Sequence, residues 1–176
     1  MEQTFTNEVI DTTSLPRFED VQLTPIHPDY WKVIIANLII AYLIFSASAG
    51  VVIYMVDEPV PYLVYGIVAY IIIILLHITI ARISFKNRGY AFRAHDVIYR
   101  SGAIAITTTI IPYNRVQHAA LYEGWLARKF NLSAVEIYTA GGANSDIKIP
   151  GIEKQHAENI KQLLMGKILK QQDNEQ

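Results

Sequence analysis

Two long apolar runs lie back to back near the start of the chain, and shorter strand-like and helical patterns follow them. The first reads VIIANLIIAYLIFSASAGVVIYMV, residues 33–56. The second reads VPYLVYGIVAYIIIILLHITIA, residues 60–81. Only Asp57, Glu58 and Pro59 separate them. A bilayer hydrocarbon core of ~30 Å needs about 20 apolar residues at ~1.5 Å of rise each. Both runs meet that length without a charged residue, and neither shows the polar stripe of a soluble core helix. The pattern predicts a two-helix transmembrane hairpin, residues 32–82, in contact with the lipid bilayer. Pro59 and Pro61 break the helix at the reversal. So short a link makes the helices antiparallel neighbours.

From Tyr90 the period changes to that of strands. Tyr90–Ala94, a turn at His95-Asp96, and Val97–Arg100 read as a hairpin. Ile104–Ile111 is rich in Ile and Thr and reads as a strand, with Ile104, Ile106, Thr108 and Ile110 on one face. Pro112 ends it. Further strands are expected at Val116–Glu123, at Ala134–Ala140 and around Ile147 and Ile149, with a turn at Gly141-Gly142. Trp125–Phe130 reads as a short helix with packed aromatics and a solvated basic pair. After Pro150-Gly151, a helix is expected over Ile152–Leu169, its stripe formed by Ile152, His156, Ile160, Leu163, Leu164 and Ile168. The pattern describes an α+β domain over 86–170, a bent antiparallel sheet capped by a C-terminal helix. A polar tail follows at 171–176.

Charge gives the hairpin a direction. Residues 1–31 form an acidic tail with six Asp or Glu against Arg17 alone. Residues 82–176 carry thirteen Lys or Arg against eight Asp or Glu. Lys32 precedes the first helix, Arg82, Lys86 and Arg88 follow the second, and the turn between them is acidic. The positive-inside rule then places both termini in the cytoplasm. The first run begins too far into the chain, behind an acidic segment, to be a cleavable signal. A flexible stretch over Thr4–Ser14 is expected, and the acidic tail is a candidate mask for the basic domain.

Candidate chemistry is sparse. The chain has no Cys, which excludes disulfides and thiol catalysis. Its five His, at 27, 77, 95, 118 and 156, show no metal-ligand spacing. No nucleophile elbow or phosphate loop is present. The reading is of a protein that is not an enzyme, with no cofactor, no metal and no nucleic-acid partner. His77 is the one ionisable residue inside the apolar runs and so a candidate intramembrane functional residue, set against a packing role near the inner interface. Arg115, Gln117, Arg128 and Lys129 are the candidate interaction surface, for anionic lipid headgroups or a protein partner. The small residues Ser46–Gly50, with Gly66 and Ala69, permit close helix approach within the hairpin or between protomers.

Four segments follow in order: Ile111-Pro-Tyr-Asn-Arg-Val-Gln117, Gly124-Trp-Leu-Ala-Arg-Lys-Phe-Asn-Leu132, Val135-Glu-Ile-Tyr-Thr-Ala-Gly141, and Ile149-Pro-Gly-Ile152 followed by Ala157. Together they resemble the bacterial pleckstrin-homology (PH) domain of YdbS-like membrane proteins, which implies a location in a bacterial cell membrane. Two membrane helices ahead of the domain are also that family's layout, and the resemblance covers roughly residues 25–169. It departs at Asn131, where the family has Gly; Asn tolerates the left-handed backbone that such a turn needs. The resemblance implies a seven-stranded bent sheet closed by a C-terminal helix, and no settled activity. The first-hairpin turn, with His95 and Asp96, makes a poor phosphoinositide cradle. The function expected is a membrane-anchored interaction or scaffold module that assembles with itself or a neighbouring membrane protein. The alternatives are a subunit of a transport or antimicrobial-peptide resistance system, and a sensor of anionic lipid.

Overall fold

The computed structural model describes residues 17–55, 62–139 and 147–174. The Thr4–Ser14 stretch, the acidic turn between the helices and the Gly141-Gly142 turn lie outside these. Helix α1 spans Tyr30–Met55 and α2 spans Leu63–Asn87. Each is longer than its apolar run and ends in aromatic and charged residues. The helices are antiparallel: Trp31 meets Phe85 at 5.7 Å between ring centroids, and Tyr42 meets Tyr70 at the same separation. The Arg82 guanidinium lies 4.8 Å from the Trp31 ring centroid and 5.5 Å from that of Phe85. This cluster is the aromatic-cationic belt expected where a helix leaves hydrocarbon. Counting about 20 residues from the outer ends, Met55 and Leu63, sets the hydrocarbon edge near Ala36 on α1 and Arg82 on α2.

Among the described residues, the domain holds seven strands in two antiparallel sheets. The first, ordered β1-β2-β3-β4, uses Thr24–Pro25, Gly89–Phe92, Asp96–Ser101 and Thr107–Pro112. Its edge strand β1 comes from ahead of α1, in the segment read from sequence as tail, and pairs with Gly89 and Tyr90. The second sheet, β5-β6-β7, uses Val116–Tyr122, Leu132–Thr139 and Ile147–Glu153. A short helix α3, Trp125–Lys129, joins β5 to β6. Helix α4, Lys154–Asn174, packs against the second sheet.

One core unites these layers. Val97 and Ile111 from the first sheet meet Val135, Ile137 and Ile149 from the second, under Ala157, Ile160, Leu164 and Ile168 of α4. All are buried. Both membrane helices are tied into the domain. Phe85 of α2 packs against this core, and Val33 of α1 is buried with Leu126 and Leu132, flanked by Ala36, Ile40 and Phe130.

Several local expectations change. Strand β4 begins at Thr107, so Ile104 and Ile106 lie in the loop before it, exposed. The core side of β4 is that of Ile111, paired with Val97, and Ile110 points outward. Strand β7 continues through Pro150-Gly151, and α4 begins only at Lys154. Pro150 is tolerated because β7 is an edge strand, where a missing N–H breaks little. The register slips opposite Ala134, so two residues of β7 face one of β6. On α4 the buried stripe runs through Ala157, while His156 and Leu163 face out. Trp125 of α3 is 58% exposed, against the expectation that it packs. Asn131 does adopt the left-handed conformation, φ 57°, and its carbonyl accepts from the Lys154 N–H at 3.0 Å.

The bulge in β7 positions the membrane helix. Gly151 has φ +69°, and a Cβ there would sit 2.6 Å from Tyr30 Cγ. The Gly151 carbonyl accepts from the His27 N–H at 2.7 Å, three residues before the helix begins. A left-handed backbone at an L-residue costs ~1–2 kcal/mol. At about 4–8 °C per kcal/mol for a domain this size, Gly151→Ala should lower the melting midpoint by roughly 5–15 °C. Tyr30→Ala in the same chain should relieve the steric share and leave the backbone share. An unchanged midpoint in differential scanning fluorimetry would contradict the role assigned to Gly151.

Candidate functional site

Strand directions give the domain two ends. Strand β2 leaves α2 at Gly89, and Gly89 pairs with Arg100 near the end of β3. The Ser101–Thr107 end of the β3–β4 hairpin is therefore beside the membrane helix, and the Asp96–Pro112 end is far from it. Strand β5 runs back from Pro112 to α3, which packs on α1. The far end carries the β2–β3 turn, where Arg93 donates to both carboxylate oxygens of Asp96, at 2.6 Å through Nε. Tyr113 Oη donates to the Arg93 carbonyl and Lys167 Nζ to that of Ala94.

This polarity separates the candidate residues. Arg115 closes a 3-10 turn, Tyr113–Arg115, at the far end, and Gln117 is the extra residue of a bulge between Val116 and His118. Both are exposed. Bulges re-aim side chains and are common beside functional surfaces. Arg128 and Lys129 are exposed at the other end of β5, on α3. The seven residues of β5 place the two pairs roughly 20 Å apart at ~3.3 Å per residue. They form two surfaces: Arg115 and Gln117 face away from the membrane end, whereas Arg128 and Lys129 lie at it. Lys129 Nζ is 5.6 Å from the centroid of the exposed Trp125 ring.

Between these ends runs a ladder on the outer face of the second sheet. His118 stacks on Tyr138 at 4.2 Å, and Tyr138 Oη donates to Glu136 Oε2 at 2.9 Å. Lys148 Nζ lies 2.8 Å from Glu136 Oε1 and 3.9 Å from the Tyr122 ring centroid. The Lys148 hydrogen bond holds the Glu136 carboxyl below its ordinary value of 4.5, and the Glu136 hydrogen bond holds the Tyr138 phenol above its own. A groove of about 320 Å³ opens between α1 and this ladder, lined in part by Asn37, Trp125, Ser133 and Lys148. Its Lys148 is already neutralised by Glu136, which weakens the groove as an anion site.

His77 lies five residues from Arg82, about 8 Å farther into the hydrocarbon. Its Nδ1 is 2.9 Å from Tyr42 Oη. Tyr70 Oη donates to the Tyr42 carbonyl at 3.1 Å and lies 2.8 Å from Ser46 Oγ. Ser48 and Thr79 return their hydroxyls to carbonyls one turn back. Hydrocarbon offers no water, so polar groups there must find such partners. Sequence reasoning missed Tyr42 and Tyr70, because the facing of two helices is not visible in either run. Gly50 and Gly66 have open space beside them, so their small size is unused within the hairpin. Among the described residues, no group of three or more His, Asp or Glu is placed to hold a metal.

A bacterial PH domain family model matches residues 31–168, which include both membrane helices and nearly the whole seven-stranded domain. The chain belongs to the bacterial PH domain family. Among curated proteins, the UPF0699 transmembrane protein YdbS of Bacillus subtilis (strain 168) is 33% identical over 82 residues. That alignment covers 47% of this chain and 50% of the relative, so the chain spans about half the length of the curated protein it matches. No solved structure matches. The PH domain here is therefore joined to a membrane hairpin, and the chain is a membrane protein.

Two outcomes follow from this geometry. In a double-mutant cycle of Tyr42→Phe and His77→Phe in bilayer nanodiscs, the coupling should be about 0.6 kcal/mol and no more than ~1.7. Zero coupling would mean that the pair does not hold the hairpin. A carboxyl whose folded pKa is depressed stabilises fully above its unfolded value and loses that contribution as pH falls through the folded one. The PH domain should thus lose stability as pH drops below 4.5, the ordinary Glu136 value. Glu136→Gln should flatten the decline, measured by thermal melts across pH.

Proposed function

We propose that this protein is a non-enzymatic, membrane-anchored PH-domain module that presents an interaction surface on the cytoplasmic side. The observation that carries this reading is the rigid junction: Tyr30 against Gly151 and Val33 against Leu126 and Leu132. A domain fused in this way to its membrane helices holds a fixed orientation. Its far end, with Arg115 and Gln117, stands free of the bilayer for a partner. The basic residues at the domain-side ends of both helices support the cytoplasmic placement of both termini.

Assembly with itself or with a neighbouring membrane protein is supported inside the bilayer as well. His77 is exposed on the hairpin surface with one ring nitrogen bonded to Tyr42. Ionisable residues in membrane helices usually face another helix rather than lipid. The open sides of Gly50 and Gly66 give a further place where a second helix fits. A transport or resistance role draws on the same His77, but its bond to Tyr42 is equally that of a packing contact.

Purification in mild detergent with mass photometry and mass spectrometry tests the assembly. The expected result is a complex larger than one chain, which Arg115→Glu or His77→Leu shifts toward the monomer with the PH domain still folded. A lone monomer from the wild-type chain would overturn the reading. Gln117→Cys, in this otherwise cysteine-free chain, should react with an impermeant maleimide only in inverted vesicles. Reaction in right-side-out cells would reverse the orientation.

A further inference from the structure

Among the described residues of the domain, the β3–β4 loop, Gly102–Ile106, is the most exposed apolar feature. Ile104 is 91% exposed and Ile106 is 57% exposed. The run Ser101-Gly-Ala-Ile-Ala-Ile-Thr107 has no charge. It is a built turn: Gly102 has φ +128°, and a Cβ there would lie 1.9 Å from the Ala105 carbonyl oxygen. The tight reversal at Gly102 leaves Ile104 at the tip.

The loop is attached to the membrane helix. Asn87, the last residue of α2, donates its side-chain N–H to the Gly102 carbonyl at 3.2 Å. Asn87 is five residues past Arg82, about 8 Å from the hydrocarbon edge, a distance comparable with one headgroup layer. Strand β3 approaches the loop from the far end of the domain, so the loop continues away from the domain body. Gly102 and Ala105 close the base of the turn, so Ile104 stands at its tip, at most ~7 Å beyond Gly102, and its side chain adds to that. The Ile104 side chain can therefore reach the depth at which hydrocarbon begins.

The shoulders of the loop are basic. Arg100 is exposed at the end of β3, and Lys86 is exposed in the last turn of α2. An apolar tip flanked by cations suits the boundary between acyl chains and anionic headgroups. A loop reaching into water would leave Ile104 and Ile106 as an unexplained apolar surface.

We propose that Gly102–Ile106 is a membrane-inserting wedge, seating Ile104 and Ile106 in the domain-side leaflet of the bilayer that α1 and α2 cross. The wedge gives the PH domain a lipid contact independent of the hairpin. It lies at the opposite end of the first sheet from the β2–β3 turn. It deepens the reading of a fixed module, but it depends neither on an assembly partner nor on which side of the membrane the domain faces.

The test uses the full chain in nanodiscs of phosphatidylethanolamine and phosphatidylglycerol. Ile104→Cys, labelled with an environment-sensitive fluorophore, is compared with Gln117→Cys at the far end. Ile104 makes so little contact that its replacement should leave the fold intact, which a thermal melt checks. The expected result is a blue-shifted emission at 104, quenched by doxyl-labelled lipid roughly twofold or more beyond the signal at 117. Equal, water-like emission at both positions would overturn the proposal. So would a blue shift at 104 that ignores doxyl lipid and appears only with two chains per disc, since a second copy would then cover the loop.

Discussion

The close approach of Tyr30 to Gly151 is the contact on which the arrangement depends. The first turn of a membrane helix sits on the backbone of an edge strand, in a space that any side chain would fill. Three things make that space: a left-handed glycine, a bulge that turns it toward the helix, and an edge position that tolerates Pro150. The His27 N–H closes the junction by donating to the same glycine. It acts together with Val33 against Leu126 and Leu132 and with Phe85 in the main core. Through these contacts, the helix that spans the membrane and the sheet that forms the domain share a fixed orientation.

The fixed orientation gives the PH domain a polarity that charge counting does not reveal. Arg128 and Lys129 stand beside the membrane helices, where Trp125 and the loop at Ile104 are also exposed. Arg115 and Gln117 stand at the other end of β5. A domain basic overall is thus basic in two places with different surroundings. Each Lys or Arg near an anionic leaflet contributes ~1 kcal/mol only within about a Debye length, so only one end can use that attraction. The far end, with Arg115 and Gln117, lies beyond that range.

Inside the bilayer the same economy of partners applies. Tyr42, Tyr70, His77 and Ser46 satisfy one another across the helix pair, and Ser48 and Thr79 satisfy themselves along it. The polar contacts fall on the face where the helices meet, and the glycines fall where they separate. The hairpin is held by aromatic and hydroxyl contacts, with the smallest side chains left facing open space.

The sequence by itself determined the hairpin, because a run of some twenty uncharged apolar residues has few stable places other than a bilayer. It determined the succession of strands after Tyr90 and the terminal helix through their periods, and the family resemblance implied the left-handed turn that Asn131 adopts. Four short segments in register were enough to suggest the PH-like fold. Tertiary structure alone decided which face of β4 is inside, because Ile110 and Ile111 are equally apolar and only pairing with Val97 selects one. It also decided that Thr24–Pro25, separated from β2 by both membrane helices, completes the first sheet. Long-range pairing of that kind leaves no local period to read. The exposure of Trp125 and Ile104 belongs to the same class, since an apolar residue reads alike whether it meets a core or a membrane. What distinguishes the two is where the rest of the chain places it.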